Sequence, residues 1–127
     1  MREIKFRGKD TITGEWLYGI YIPASCTKLG YHSIIDSRHR REVDPDTVGQ
    51  YTGVCDSNEN DIYEGDIISF LFNRKRHHGV IKFADGRYWV KSRLNMRRDD
   101  LFQVMIFNDI NVVGNIHDNP ELAEETK

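Results

Sequence analysis

Cysteine is scarce in this chain, long apolar runs are missing, and neither sign of charge prevails. Cys26 and Cys55 are the only cysteines, and neither has the C-x-x-C or other spacing of a metal or redox site. They read as two reduced, intracellular thiols rather than as the disulfide of a secreted chain. No stretch approaches the roughly 20 apolar residues that span a bilayer. The richest run, IISFLF, has the length of a buried strand. The opening MREIKFRGKD alternates charge with single apolar residues and lacks the apolar core of a signal peptide. The expected place of the protein is therefore the cytoplasm, with no membrane partner. With a formal charge of −2, long-range attraction to nucleic acid is not a property of the whole chain, although local patches can differ.

Catalytic signatures are missing too. GVIKFADG has neither the glycine spacing nor the following helix of a phosphate-cradling loop. No hydrolase signature surrounds Cys55. Of the histidines, His32, His39, His77, His78 and His117, the adjacent pair 77–78 points apart on an extended backbone, and no second ligand stands at zinc spacing from it. No catalytic residue, metal site or cofactor is assigned, and the expectation is that the protein is not an enzyme.

What the sequence does carry is strand periodicity. At 127 residues the chain fits one domain, and such a domain removes roughly two thirds of its unfolded surface from water. In REIKFRG, Ile4 and Phe6 alternate with charged residues, and EWLYGIYI can pair with that segment across the polar stretch 9–14. YHSIID and TVGQYTG follow as short strands, separated by SRHRREVDPD, where Pro45 and the Asp residues discourage pairing. GVCDSNEN reads as an exposed connection. DIISFLF, GVIKF and RYWVK then form an antiparallel meander, with Asp85-Gly86 as a tight turn. LFQVMIF, 101–107, is assigned to a strand, with a helix as the alternative. INVVGNIH is a further strand, and DNPELAEE a short helix capped by Asp118 or Asn119, with Pro120 at its first position. The fold class is mainly β: an N-terminal hairpin region (1–53), a small SH3-like barrel or rolled sheet (60–117) and a short C-terminal helix and tail (118–127), together one domain.

DIYEGDII, 61–68, gathers Asp61, Glu64 and Asp66 around Gly65. Acid–base chemistry needs convergent carboxylates, one of them in an apolar setting. A turn-rich entry to a strand instead implies ionised, solvated side chains that tether backbone amides.

Together with MREIKFRG, VGQYTGV, GVIKFADGRYWV and VVGNIHDNPEL, this stretch resembles the successive motifs of the YopX family of small phage and prophage proteins. The likeness runs to about Leu122. Between QYTG and YEGD the family carries a lysine-rich polar loop; here VCDSNENDI has no lysine. The resemblance implies a β-rich, cytoplasmic, phage-associated protein of unknown function, and it brings no catalytic residue. A non-enzymatic binding module with a protein partner (phage, host or self, hence a possible homo-oligomer) is the first expectation.

The alternative is nucleic-acid binding. Arg74, Lys75 and Arg76, followed by His77 and His78, are expected at the tip of a hairpin. A second patch holds Arg38, His39, Arg40 and Arg41, and a third Arg93, Arg97 and Arg98. Tyr88 and Trp89 face opposite sides of their strand, so one is expected in the core and the other exposed. An exposed ring, Trp89 in the candidate interface, can stack on a base, the alternative being core packing or cross-strand pairing for either ring. The opposing view is that each charge run is a solvated loop that keeps a sheet edge soluble.

Overall fold

Strand β1 (Phe6–Lys9) pairs antiparallel with β2 (Trp16–Ile22), Gly8 opposite Leu17, as the sequence predicts. The computed structural model describes residues 3–28, 30–92 and 109–124. It divides into two units, Met1–Gly53 and Val54–Lys127, built on two antiparallel sheets.

In the first unit β3 (Ser33–Ile35), β4 (Arg40–Glu42) and β5 (Gly49–Cys55) complete the order β4-β3-β2-β1-β5. Leu17, Ile34 and Val43 form its core, with Tyr21 and Val48 against them. Two expectations are corrected here. Ile4, ahead of the strand, is exposed and Arg7 is buried, where REIKFRG predicts the apolar residue in and the charged one out, although Phe6 does share the Gly8 face and meets Tyr21 at 5.9 Å. The face packed on the core is the one carrying Gly8, where a Cβ would stand 2.3 Å from Val43 Cγ2. Arg7 lies on the other face, with its guanidinium 4.6 Å from the Trp16 ring, an arrangement that buries an apolar stem and shares charge with a π-face. The segment 37–46 does pair: Arg40 lies opposite Ile35 and Glu42 opposite Ser33. Asp36 Oδ1 accepts from the Arg38 and His39 amides at 2.9 and 2.8 Å and closes that hairpin. Pro45–Thr47 is a 3-10 turn capped by Asp44.

In the second unit β6 (Asp61–Tyr63) returns beside the end of β5, and β7 (Asp66–Phe72), β8 (Lys75–Ala84), β9 (Arg87–Lys91) and β10 (Asn111–Asn115) form a sheet in the order β10-β7-β8-β9. Among the described residues this ladder is open, not closed into a barrel. Ile62, Ile68, Phe70, Ile81, Val90 and Ile110 make its core. The short helix Pro120–Glu124 follows Asn119, whose carbonyl accepts from the Ala123 amide at 3.4 Å. No helix among the described residues is long and apolar enough to cross a membrane.

The acidic corner is scaffolding, with Asp61 and Glu64 half-buried and Asp66 fully buried. The Tyr63 amide donates to Asp66 Oδ2 at 2.8 Å, and Asp66 is 1 % exposed. Gly65 takes a φ of 91°, which a Cβ would resist, and its amide donates to the Ile81 carbonyl at 2.8 Å. Burial pushes the Glu64 carboxyl above its ordinary range. The expectation of a water-facing carboxylate fails at Asp66 because β7 starts there and carries that residue straight into the packed sheet. The GVCDSNEN connection is likewise only partly exposed: Asp56 is buried.

Candidate nucleic-acid interface

Period-two alternation sorts the β8–β9 hairpin into two faces. Asp85 and Gly86, with φ of 52° and 75°, close it as expected of a two-residue turn. Ile81 pairs with Val90 on the buried face. On the other face Lys82 lies opposite Trp89, Ala84 opposite Arg87 and Val80 opposite Lys91. Lys82, Arg87 and Lys91 are exposed. Among the described residues neither Lys82 nor Lys91 enters an ion pair. The Trp89 indole Nε1 donates to the Ala84 carbonyl at 2.8 Å. Trp89 itself is half-buried, while Tyr88 turns to the core face and meets Phe83 at 5.0 Å between ring centroids. The two rings do part to opposite sides, but neither stands fully in water.

The same face is buried at Val80, opposite Ile67, and opens again further along the β7–β8 hairpin, where Arg76 and Leu71 pair and are both exposed. From Ile67 to Lys91 the lone carboxylate is Asp85, against Arg74, Lys75, Arg76, Lys82, Arg87 and Lys91. A net acidic chain thus presents a locally cationic sheet, which attracts phosphate within a Debye length of roughly 10 Å.

Of the basic run 74–78 only Arg74 sits in the turn of the β7–β8 hairpin, and the rest continues into β8. Asn73 and Arg74 alone make the turn, with φ of 51° and 64°, and Lys75 already belongs to β8 opposite Phe72. Arg76 donates to the Asp109 carbonyl at 2.7 Å and to its carboxylate at 3.0 Å, so its charge is compensated. Hydrogen bonds from Ser57, then Arg76, hold the Asp109 carboxyl below its ordinary range. His77 turns inward, 5.8 Å from the Phe70 ring. A strong strand pattern on both sides absorbs the polar residues into a two-residue hairpin, which is why the expected loop shrinks.

Arg40 and Arg41 belong to the other unit. Arg40 Nε donates to Ser33 Oγ at 2.8 Å, and its guanidinium lies 5.8 Å from the Tyr31 ring. Arg41 pairs with Asp10 at 2.6 Å. The Ile12 and Thr13 amides, with Arg41, hold the Asp10 carboxyl below its ordinary range. Both arginines therefore serve their own sheet. Arg93, Arg97, Arg98 and the segment 101–107 lie outside the described residues.

Lys82, Arg87 and Lys91 stand apart in the sequence and form no run of adjacent charge. Their signal is alternation: KFADGRYWVK places them with Trp89 on one face and Ile81, Tyr88 and Val90 on the other.

The first unit also holds a cleft of about 360 Å3, lined by residues that include Tyr31, His32, Glu42 and Asp44. Its polar groups are engaged in the fold. Glu42 accepts from the Thr11 hydroxyl at 3.0 Å, and Asp44 from the Asp46 amide at 3.0 Å. The Tyr21 hydroxyl lies 2.6 Å from His32 Nδ1, and the Ala24 amide donates to the same atom at 3.3 Å. Burial, then the neighbouring Cys26, keep the Tyr21 hydroxyl protonated above its ordinary range. Among the described residues no group of three or more His, Cys, Asp or Glu is placed to hold a metal ion. Neither cysteine is in a disulfide.

A family profile described as "YopX protein" matches residues 5–124. The crystal structure of protein EF1440 from Enterococcus faecalis is similar, with a TM-score of 0.59 and 27% identity over 96% of this chain and 99% of that one. A search of curated proteins returned no match.

Proposed function

The chain belongs to the YopX family, and on that premise we propose that it is a non-enzymatic binding module whose ligand is nucleic acid. The observation that carries this reading is the outward face of the β8–β9 hairpin, where Lys82, Arg87 and Lys91 surround Trp89. Lysine and arginine held on a rigid sheet displace counterions from phosphates and give salt-dependent affinity. The reading includes action in the cytoplasm and a phage or prophage origin. Its test is the anisotropy of a labelled oligonucleotide as a function of salt. The triple variant K82A/R87A/K91A is expected to weaken binding and to reduce the log–log salt slope by up to about 2, taking about 0.7 for each phosphate no longer neutralised. Unchanged affinity and slope in a folded triple variant remove the proposal.

A protein partner, including a second copy, is the second reading. Tyr18 and Ile20, 50% and 63% exposed, form an apolar row on β2. Exposed rows of this kind mark protein-binding surfaces when they belong to a larger patch. Retention from lysate that survives nuclease and is lost in Y18S/I20S supports it over the first reading.

A further inference from the structure

We infer that the β8–β9 face takes nucleic acid as a single strand, one base stacking on the Trp89 indole while Lys82, Arg87 and Lys91 hold the adjoining phosphates. The inference rests on the nucleic-acid reading and names its substrate class.

Three features of the hairpin lead there. The first is the indole's anchor. Its Nε1 reaches the Ala84 carbonyl, five positions back along the chain and on the neighbouring strand. A ring drawn across the hairpin in this way is spread along the sheet and offers a π-face, and little side-chain freedom remains to be lost when a base covers it. The second is the placing of charge. Lys82 is directly across from Trp89, within roughly 5 Å between Cβ atoms for such pairs. Arg87 and Lys91 lie two positions to either side on β9, each roughly 7 Å away along the strand. A strand crossing the ring therefore meets a cation before, beside and after the stacked base. Aromatic platforms flanked by backbone-tracking cations are the usual means of holding unpaired strands without reading their sequence.

The third feature argues against a duplex. A β-ribbon reads double-stranded DNA by entering the major groove. Here the leading point of the ribbon is Asp85, the lone carboxylate between Ile67 and Lys91. Insertion would bring that carboxylate between two walls of phosphate, whereas the flat of the hairpin meets phosphate only with cations. A duplex also keeps its bases stacked on one another, so that Trp89 has no free base to receive.

The experiment titrates the full chain at low salt with an oligothymidine and, separately, with a duplex of equal length, following anisotropy and tryptophan emission. The single strand is expected to quench the emission and to bind at least about tenfold more tightly than the duplex. Trp89→Ala should weaken single-strand binding roughly five- to 100-fold and leave the weak duplex binding unchanged. Trp89→Phe keeps a ring without the Ala84 bond and should retain most of the affinity, which guards against a variant that merely misfolds. Equal affinity for duplex and single strand, or full single-strand affinity in Trp89→Ala, overturns the inference. If K82A/R87A/K91A still binds more weakly in that event, the nucleic-acid reading stands without it. If the triple variant binds as the wild type does, both fall.

Discussion

Asp56 Oδ2 accepts the backbone amide of Val112 at 2.9 Å and so joins the 56–60 loop to β10 across 56 residues of chain. The other carboxylate oxygen takes the Asn58 and Asn60 amides at 2.9 and 2.8 Å. One buried anion thus organises a turn and clamps it to an edge of the sheet. Asp56→Ala leaves those donors without a partner and is expected to cost about 3 kcal/mol in urea unfolding. A loss below about 1 kcal/mol would mean that water replaces the carboxylate.

The same group makes stability depend on acid. Burial raises its pKa, but the Val112, Asn60 and Asn58 amides and the Asn60 side chain outweigh burial and hold it below the ordinary 3.8. A depressed folded-state pKa contributes stability that is full above the unfolded value and is lost as pH falls through the folded one. Wild type is therefore expected to lose stability below about pH 4 more steeply than Asp56→Ala, as read from unfolding midpoints across an acid series.

Glu64 has the opposite sign. Its burial raises the carboxyl above the ordinary 4.5. The folded state then binds the proton more tightly, so the ionised form at neutral pH is a cost that disappears as pH falls below the unfolded value. Glu64→Gln is expected to raise the thermal midpoint at pH 7 and to match wild type at about pH 4. A lower midpoint at pH 7 would reveal a partner for the carboxylate.

Arg74 occupies the left-handed region at φ 64°, next to Asn73 at 51°. An L-residue with a Cβ pays about 1 kcal/mol there, and Asn-Gly is the preferred pair for this turn. Arg74→Gly should stabilise the protein by about 1 kcal/mol in chemical denaturation, and it should leave nucleic-acid affinity almost unchanged because the interface lies on the next hairpin.

Gly19 on β2 approaches β3 so closely that a Cβ would stand 2.1 Å from the Ile35 carbonyl oxygen. Backbone cannot swing aside as a flexible side chain does. Gly19→Ala is expected to separate β2 from β3 and to cost more than about 2 kcal/mol. Retention of the wild-type thermal midpoint would show that the sheet can shift to admit a methyl group.

The strands were legible wherever local pattern and tertiary burial agree. DIISFLF, GVIKF and RYWVK fall within β7, β8 and β9, and Asp85-Gly86 turns between two of them. The pattern misleads where a polar residue is buried for reasons outside its own window. Asp56 and Arg7 look like surface residues until β10 and the Trp16 ring arrive from elsewhere. Arg40 and Arg41 look like a charged loop because edge-strand chemistry resembles loop chemistry, and only pairing with Ile35 and Ile34 distinguishes the two.

The sequence by itself determined the family, the mainly β character and the excess of cations over acids between Ile67 and Lys91, because motif order, period-two alternation and charge are properties of neighbours along the chain. Tertiary structure alone decided where the cations are deployed. Asp109 takes up Arg76 and Asp10 takes up Arg41, partners 33 and 31 residues distant, while strand register assembles Lys82, Arg87 and Lys91 around Trp89. Charge neutralisation acts through space at a few ångströms, and no spacing along a chain specifies it.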